Sequence, residues 1–142
     1  MPNPRDTISF VGIGAEYVTF RIDNATITYD ATQPGGSAVV GRAVGLSAAG
    51  TVELVANGDE VLGKLIAVEP NLTATVQTGG YCTLPGGQGA SLTLGKRIVG
   101  ALGPGNARGY IREVNTSVAA ELGVARGLIV DASTASATVV RL

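Results

Sequence analysis

The stretch that decides the fold runs from Ala43 to Arg97, AVGLSAAGTVELVANGDEVLGKLIAVEPNLTATVQTGGYCTLPGGQGASLTLGKR. It is a succession of short apolar runs cut by turn residues, and none is long enough for an ordinary helix. Leu72 to Gln77 alternates strictly, with Leu72, Ala74 and Val76 on one face and Thr73, Thr75 and Gln77 on the other. A period of two is the mark of a half-buried strand. Asn57-Gly58 is the strongest short-range turn dipeptide, because both residues tolerate positive φ and so match strand twist. Turn signals near positions 50, 58, 70, 79 and 86 are spaced at roughly the 8–12 residues of a sandwich or barrel. Gly63, inside the run VLGKLIAV, marks a bulge or a close backbone approach.

The same reading extends outward. Thr7–Val11 and Glu16–Ile22 are expected strands, and Val18, Phe20 and Ile22 share the inner face of the second. Asp23-Asn24 is read as a turn into a return strand at Thr26–Tyr29, making a hairpin. Ala31–Ser37 is a flexible loop by composition, and Ala38–Leu46 opens the central run. Downstream, strands are expected around Arg97–Val99, at Tyr110–Val114, at Leu128–Asp131 and at Thr138–Leu142. The last ends on apolar residues and so belongs inside a sheet. Gly103-Pro104-Gly105-Asn106 is a loop. The one helical candidate is Thr116–Leu122, capped by Asn115 or Thr116 and stopped by Gly123. The expected fold is all-β: a compact single-domain β-barrel or sandwich of short antiparallel strands at 7–142, one short helix near 116–122, and an extended arm at 1–6.

Composition supports this and narrows the chemistry. A chain of 142 residues with 45% hydrophobic side chains can bury roughly 70% of its unfolded surface, so it needs no disulfide or metal staple. Glycine is frequent at 21 residues and charged residues are scarce at 15%, against about 25% in an average protein. A weakly charged, Thr- and Gly-rich surface suits contact with other subunits. Ten basic and eleven acidic residues give a net charge of −1. With no basic stripe to displace counterions, no nucleic-acid partner is expected. No run approaches 18 apolar residues and MPNPRDT has no apolar core, so neither a membrane span nor a secretory leader is expected. The sequons at Asn24, Asn71 and Asn115 therefore read as chance products of a Thr-rich sequence.

Catalytic and cofactor signals fail their context tests. Gly12-Ile13-Gly14 begins like a dinucleotide fingerprint, but Tyr17 replaces the third glycine and a strand follows where a helix is required. Gly89 to Arg97 has P-loop glycines one residue too far apart, and Arg97 stands where Ser or Thr must be. Histidine is absent, so a Ser or Cys nucleophile lacks its usual base. Ser91 with Lys96 and Ser47 with Lys64 remain as Ser-Lys pairs, neither on a nucleophile elbow. Asp59-Glu60, adjacent in a turn, makes a poor chelate. Cys82 is alone and reads as a small core hydrophobe. No enzyme activity, cofactor or metal is expected.

The run Val40 to Leu54, then Asn57-Gly58-Asp59-Glu60-Val61-Leu62-Gly63, then Ala74 to Tyr81, resembles the small decoration (cement) proteins of tailed-bacteriophage capsids. Their turn glycines and core valines follow the pattern "small-x-Val-Gly-Leu-x-x-x-Gly-x-Val, Gly-Asp-x-Val-Leu-Gly, x-Thr-Val-Gln-x-x-Gly". The likeness covers residues 38 to 102, and residues 103 to 142 have no counterpart in it. It implies a compact β-barrel that binds the major capsid protein on the outer surface of an assembled phage head. Such a protein ties capsomers together as a homo-oligomer, a trimer sooner than a dimer. It also implies capsid or subunit contact through the arm at Pro2, Asn3, Pro4 and Arg5, and the loop residues Pro34, Gly35 and Gly36 are further candidate contacts. The alternative from the residues is a β-sandwich module that holds a glycan or cell-surface ligand through its loops, at Gly35-Gly36 and Gly103 to Gly109.

Overall fold

The computed structural model describes residues 11–142. The expected arm, with Pro2, Asn3, Pro4 and Arg5, and all but the last residue of the expected strand Thr7–Val11 lie outside these residues. Val11 itself is in a turn.

The described chain is mostly β. Strands β1 (Glu16–Ile22), β2 (Ala43–Ala48), β3 (Thr51–Leu54), β4 (Gly63–Val68) and β5 (Thr73–Gly79) close a barrel in the order β1-β3-β2-β4-β5. Then come β6 (Tyr81–Leu84), β7 (Ile98–Ala101), β8 (Tyr110–Glu113), helix α1 (Ala119–Val124), β9 (Leu128–Asp131) and β10 (Thr138–Arg141). They form a three-stranded sheet, β6-β10-β9, and a two-stranded one, β7-β8.

The barrel follows from the alternation that the sequence displays. Val44, Val52, Leu54, Leu65, Ala74 and Val76 fill its interior with Ile22 and Ile27. Neighbouring residues on the same strands point the other way. Ala43 and Val55 leave the barrel and pack with Val61, Cys82, Leu84, Ile98, Ile111, Ile129 and Val140 in a second cluster. The second region is thus built on the outer face of the barrel wall, which makes the whole a single domain. Central β10 closes the chain inside its sheet, as its apolar ending demands.

Two close approaches fix the barrel's register. At Gly63 a Cβ would stand 2.0 Å from the Gln77 carbonyl oxygen, so β4 lies against β5 only because no side chain is there. Gly36 has φ +88°, and its Cβ would stand 2.0 Å from the Val68 carbonyl oxygen. The 3₁₀ turn Pro34–Gly36 is therefore seated on β4, where composition suggested a flexible loop.

Several expectations are corrected. Thr26–Tyr29 is not a strand, and β1 makes no hairpin with it. The Asp23 carboxylate accepts hydrogen bonds from the backbone N–H groups of Ala25, Thr26 and Ile27 and from the Thr26 hydroxyl (2.7 Å). This local capping outcompetes a ladder. The Thr26 hydroxyl in turn accepts the Leu54 N–H at 2.9 Å, tying the turn to the end of β3. Freed of a return strand, β1 pairs antiparallel with β5 and parallel with β3, so the strands are not all antiparallel.

Val18 is 43% exposed rather than inward. The barrel wall beside it ends, because β3 meets β1 only at Arg21 and Ile22. Leu72 sits at φ 63° in the β4–β5 turn and is exposed, not the first inward residue of β5. Asn57-Gly58 does not join a hairpin: β3 and β4 flank β2 instead of each other, and the Gly58 N–H bonds the Gly100 carbonyl in the second region. Residues 38–42 are turns, with β2 starting at Ala43. The helix is shifted to Ala119–Val124 and runs through Gly123. Val118 stands at its N-cap with no side-chain bond, while the Asn115 carboxamide accepts the Ser117 N–H.

Candidate functional site

Two surfaces stand out, one in each region. The first is a cleft of about 680 Å³ where loops of the second region converge. The segment after β6 contributes Gln88 and Ser91, and the turn before β7 contributes Lys96. Gly103 and Asn106 come from the 3₁₀ turn after β7, and Arg112, Glu113, Asn115 and Thr116 from the end of β8 and the segment beyond. Asn57 reaches in from the barrel side.

Arg112 holds these pieces together. Its Nε donates to the Asn57 side-chain oxygen at 3.0 Å, and Nη1 donates to the Glu113 carbonyl at 3.1 Å. Both Nη atoms engage the Glu121 carboxylate on α1. Glu121 also accepts the Asn115 N–H at 3.0 Å. The Arg112 hydrogen bond, followed by that of Asn115, holds the Glu121 carboxyl below its ordinary range. The same pairing raises Arg112. Backbone bonds from Gly87 to Ile111, from Gln88 to Leu102, from Glu113 to Ser91 and from Val114 to Arg97 fix the walls. Glu113 adds an oddity: its Oε2 is buried with no hydrogen-bond partner.

The second surface lies on the barrel. β1 pairs along its length with β5 but with β3 only at Arg21 and Ile22. Among the described residues, the edge of Glu16–Phe20 facing away from β5 therefore carries no strand. On this strand Tyr17 and Val18 are 56% and 43% exposed, and in the turn that leads into it Val11 and Ile13 are 47% and 54% exposed. An unpaired strand edge next to apolar side chains is a template for added chain.

The candidates from sequence fall out as follows. Pro34 and Gly35 are exposed and Gly36 is half-buried against β4, so this turn offers a protruding contact and no hollow. Gly103 and Asn106 reach the cleft, and Gly35-Gly36 do not. Ser91 and Lys96 share the cleft, yet both are exposed and no hydrogen bond joins them. Lys64 donates to the Thr83 hydroxyl at 2.9 Å, and Ser47 donates to the Thr51 carbonyl. Asp59 accepts the Ala56 N–H and lies 3.9 Å from Arg108. Gly12 and Gly14 sit in a turn that leads into β1, so no helix N-terminus faces them. Cys82 is buried, and burial pushes its thiol up to about 11. Among the described residues no group of three His, Cys, Asp or Glu side chains could hold a metal ion, and no helix is long and apolar enough to cross a membrane.

The Arg112–Glu121 clamp and the polar side chains Asn57 and Gln88 are not legible in the sequence. They come from separate elements, Arg112 from β8, Glu121 from α1 and Asn57 and Gln88 from two connections, and follow no periodicity. No family model, curated protein or solved structure matches the chain.

Proposed function

We propose that this protein is a structural subunit that associates with copies of itself and decorates the outer surface of an assembled phage head, bridging capsomers of the major capsid protein. The observation that carries the reading is the edge of β1 from Glu16 to Phe20, which among the described residues no strand covers and on which Tyr17 and Val18 are exposed. An uncovered strand edge that carries exposed apolar side chains favours protein partners, because both the apolar surface and the backbone N–H and C=O groups of the edge are satisfied when another chain adds there. The sequence resemblance over residues 38 to 102 adds the identity of the shell, and the exposed Pro34-Gly35 turn adds a second protruding contact.

The experiment is native mass spectrometry of the full chain together with co-sedimentation on undecorated heads. The expected result is a closed homo-oligomer, a trimer sooner than a dimer, and saturable binding to heads with little binding to free capsid protein. A monomer that fails to bind heads at micromolar concentration overturns the reading.

A further inference from the structure

We propose that the cleft between the end of β8 and the loops after β6 and β7 is a binding site for a short, uncharged saccharide. The proposal is independent of the assembly reading, because the cleft shares no residue with the β1 edge or with the Pro34–Gly36 turn.

Size is the first argument. At about 680 Å³ the cleft falls inside the roughly 300–1,000 Å³ of small-molecule sites. Chemistry is the second. Asn57, Gln88, Asn106 and Asn115 bring carboxamides, and Ser91 and Thr116 bring hydroxyls. Each of these groups both donates and accepts, the pattern that adjacent sugar hydroxyls complement. The Gln88 and Asn106 side chains make no hydrogen bond to other described residues, so they are available. Charge is the third argument. Arg112 is engaged by Glu121, which leaves one cation, Lys96, and one anion, Glu113. A site balanced in this way has no net field to select a phosphate or a polycation. No aromatic side chain lines it, so it offers no platform on which a base could stack.

Glu113 adds an acceptor that the protein leaves without a donor. A buried unpaired carboxylate oxygen is costly, and a turn of the side chain toward the cleft would let a ligand hydroxyl supply the missing bond. The Arg112 clamp and the backbone bonds of the walls mean that binding need not first order the loops, so little affinity is lost to preorganisation.

The test is a glycan array carrying neutral and acidic glycans, probed with the full chain and with a Q88A/N106G variant. It is followed by amide NMR titration with the best neutral hit up to about 10 mM, which captures millimolar affinity. Neither substituted side chain makes a hydrogen bond among the described residues, and glycine keeps the positive φ of 61° at position 106 without strain, so the variant keeps its fold, checked by the NMR spectrum itself. The expected outcome is a neutral hit, shifts confined to residues around 88–91, 103–106 and 113–116, and at least a tenfold loss in the variant. No hit, hits on acidic glycans alone, shifts elsewhere, or equal binding by the variant each overturn the proposal.

Discussion

The barrel and the region built on its outer wall solve the same packing problem differently. In the barrel, five strands close on one another and the interior is filled by side chains from alternate positions. Among the described residues the pairing is shortest where β1 outruns β3 and where β2 meets β4 only at Ala43–Lys64 and Val44–Gly63. In the second region, strands of four residues form two small sheets that cannot close. Their core is completed by Ala43 and Val55 from the barrel wall, and the long connections that remain converge around a polar cleft. The regular half offers an edge and the irregular half offers a hollow, which is why assembly is assigned to the first and ligand binding to the second.

The sharpest way to break this comparison is to weaken each core separately. Leu65→Ala in the barrel and Ile111→Ala in the second region each remove a fully buried side chain, and each is expected to cost about 2–5 kcal/mol. Because Ala43 and Val55 join the two cores, both variants should still unfold in one transition, seen alike by circular dichroism and tyrosine fluorescence in urea. Two separate transitions would show that the regions are independent.

A smaller effect tests how the barrel is sealed. Gly36→Ala adds a Cβ at positive φ against the Val68 carbonyl, and is expected to destabilise by more than about 1 kcal/mol. Gly105→Ala also lies at positive φ but meets nothing within 4 Å. The excess cost of the first substitution over the second, read from urea midpoints, measures the close approach alone.

Smaller again is Asp23→Ala. Burial pushes the Asp23 carboxyl upward, but hydrogen bonds from Thr26, Ile27 and Ala25 outweigh it and hold the group below its usual value. A lowered folded-state pKa contributes stability that is complete above the ordinary carboxylate range and is lost as pH falls through the folded value. The variant should lose about 1 kcal/mol at neutral pH, and the difference from the parent should vanish in strong acid. A difference that persists there would assign the loss to packing.

The smallest effect is expected from Glu121→Gln, which weakens the clamp on α1 and the cleft. The pair is part-exposed, so less than about 1 kcal/mol is at stake, and the deficit should shrink in high salt. Thermal melts at low and high salt check both points.

Much of the architecture could be read in advance where local pattern and tertiary demand agree. The Thr73–Val76 alternation, the Pro70-Asn71 turn, Gly63 as a close approach and Cys82 as a core residue are local signals that the packing keeps, whereas Leu72 is exposed and Gln77, expected outward, is buried with its carboxamide donating to the Gly79 and Tyr81 carbonyls. Thr26–Tyr29 misleads because its β-branched residues suit a strand, while Asp23 satisfies their backbone donors without one. Val18 misleads for a different reason. Its alternation is right, but burial depends on how far β3 extends, and β3 is elsewhere in the chain. Of the candidate site, the glycine-rich turn at 103–106 and the pair Ser91 and Lys96 were visible, and the other lining residues were not.

From its residues alone this chain was bound to be a β protein with tight turns and a packed valine-rich core, since period-two alternation and turn chemistry act between neighbours. Only the folded molecule decided which strand lies beside which, that β3 pairs with β1 only at Arg21 and Ile22, and that Arg112 meets both Asn57 and Glu121. Those outcomes join residues far apart in the chain, and no local spacing encodes them.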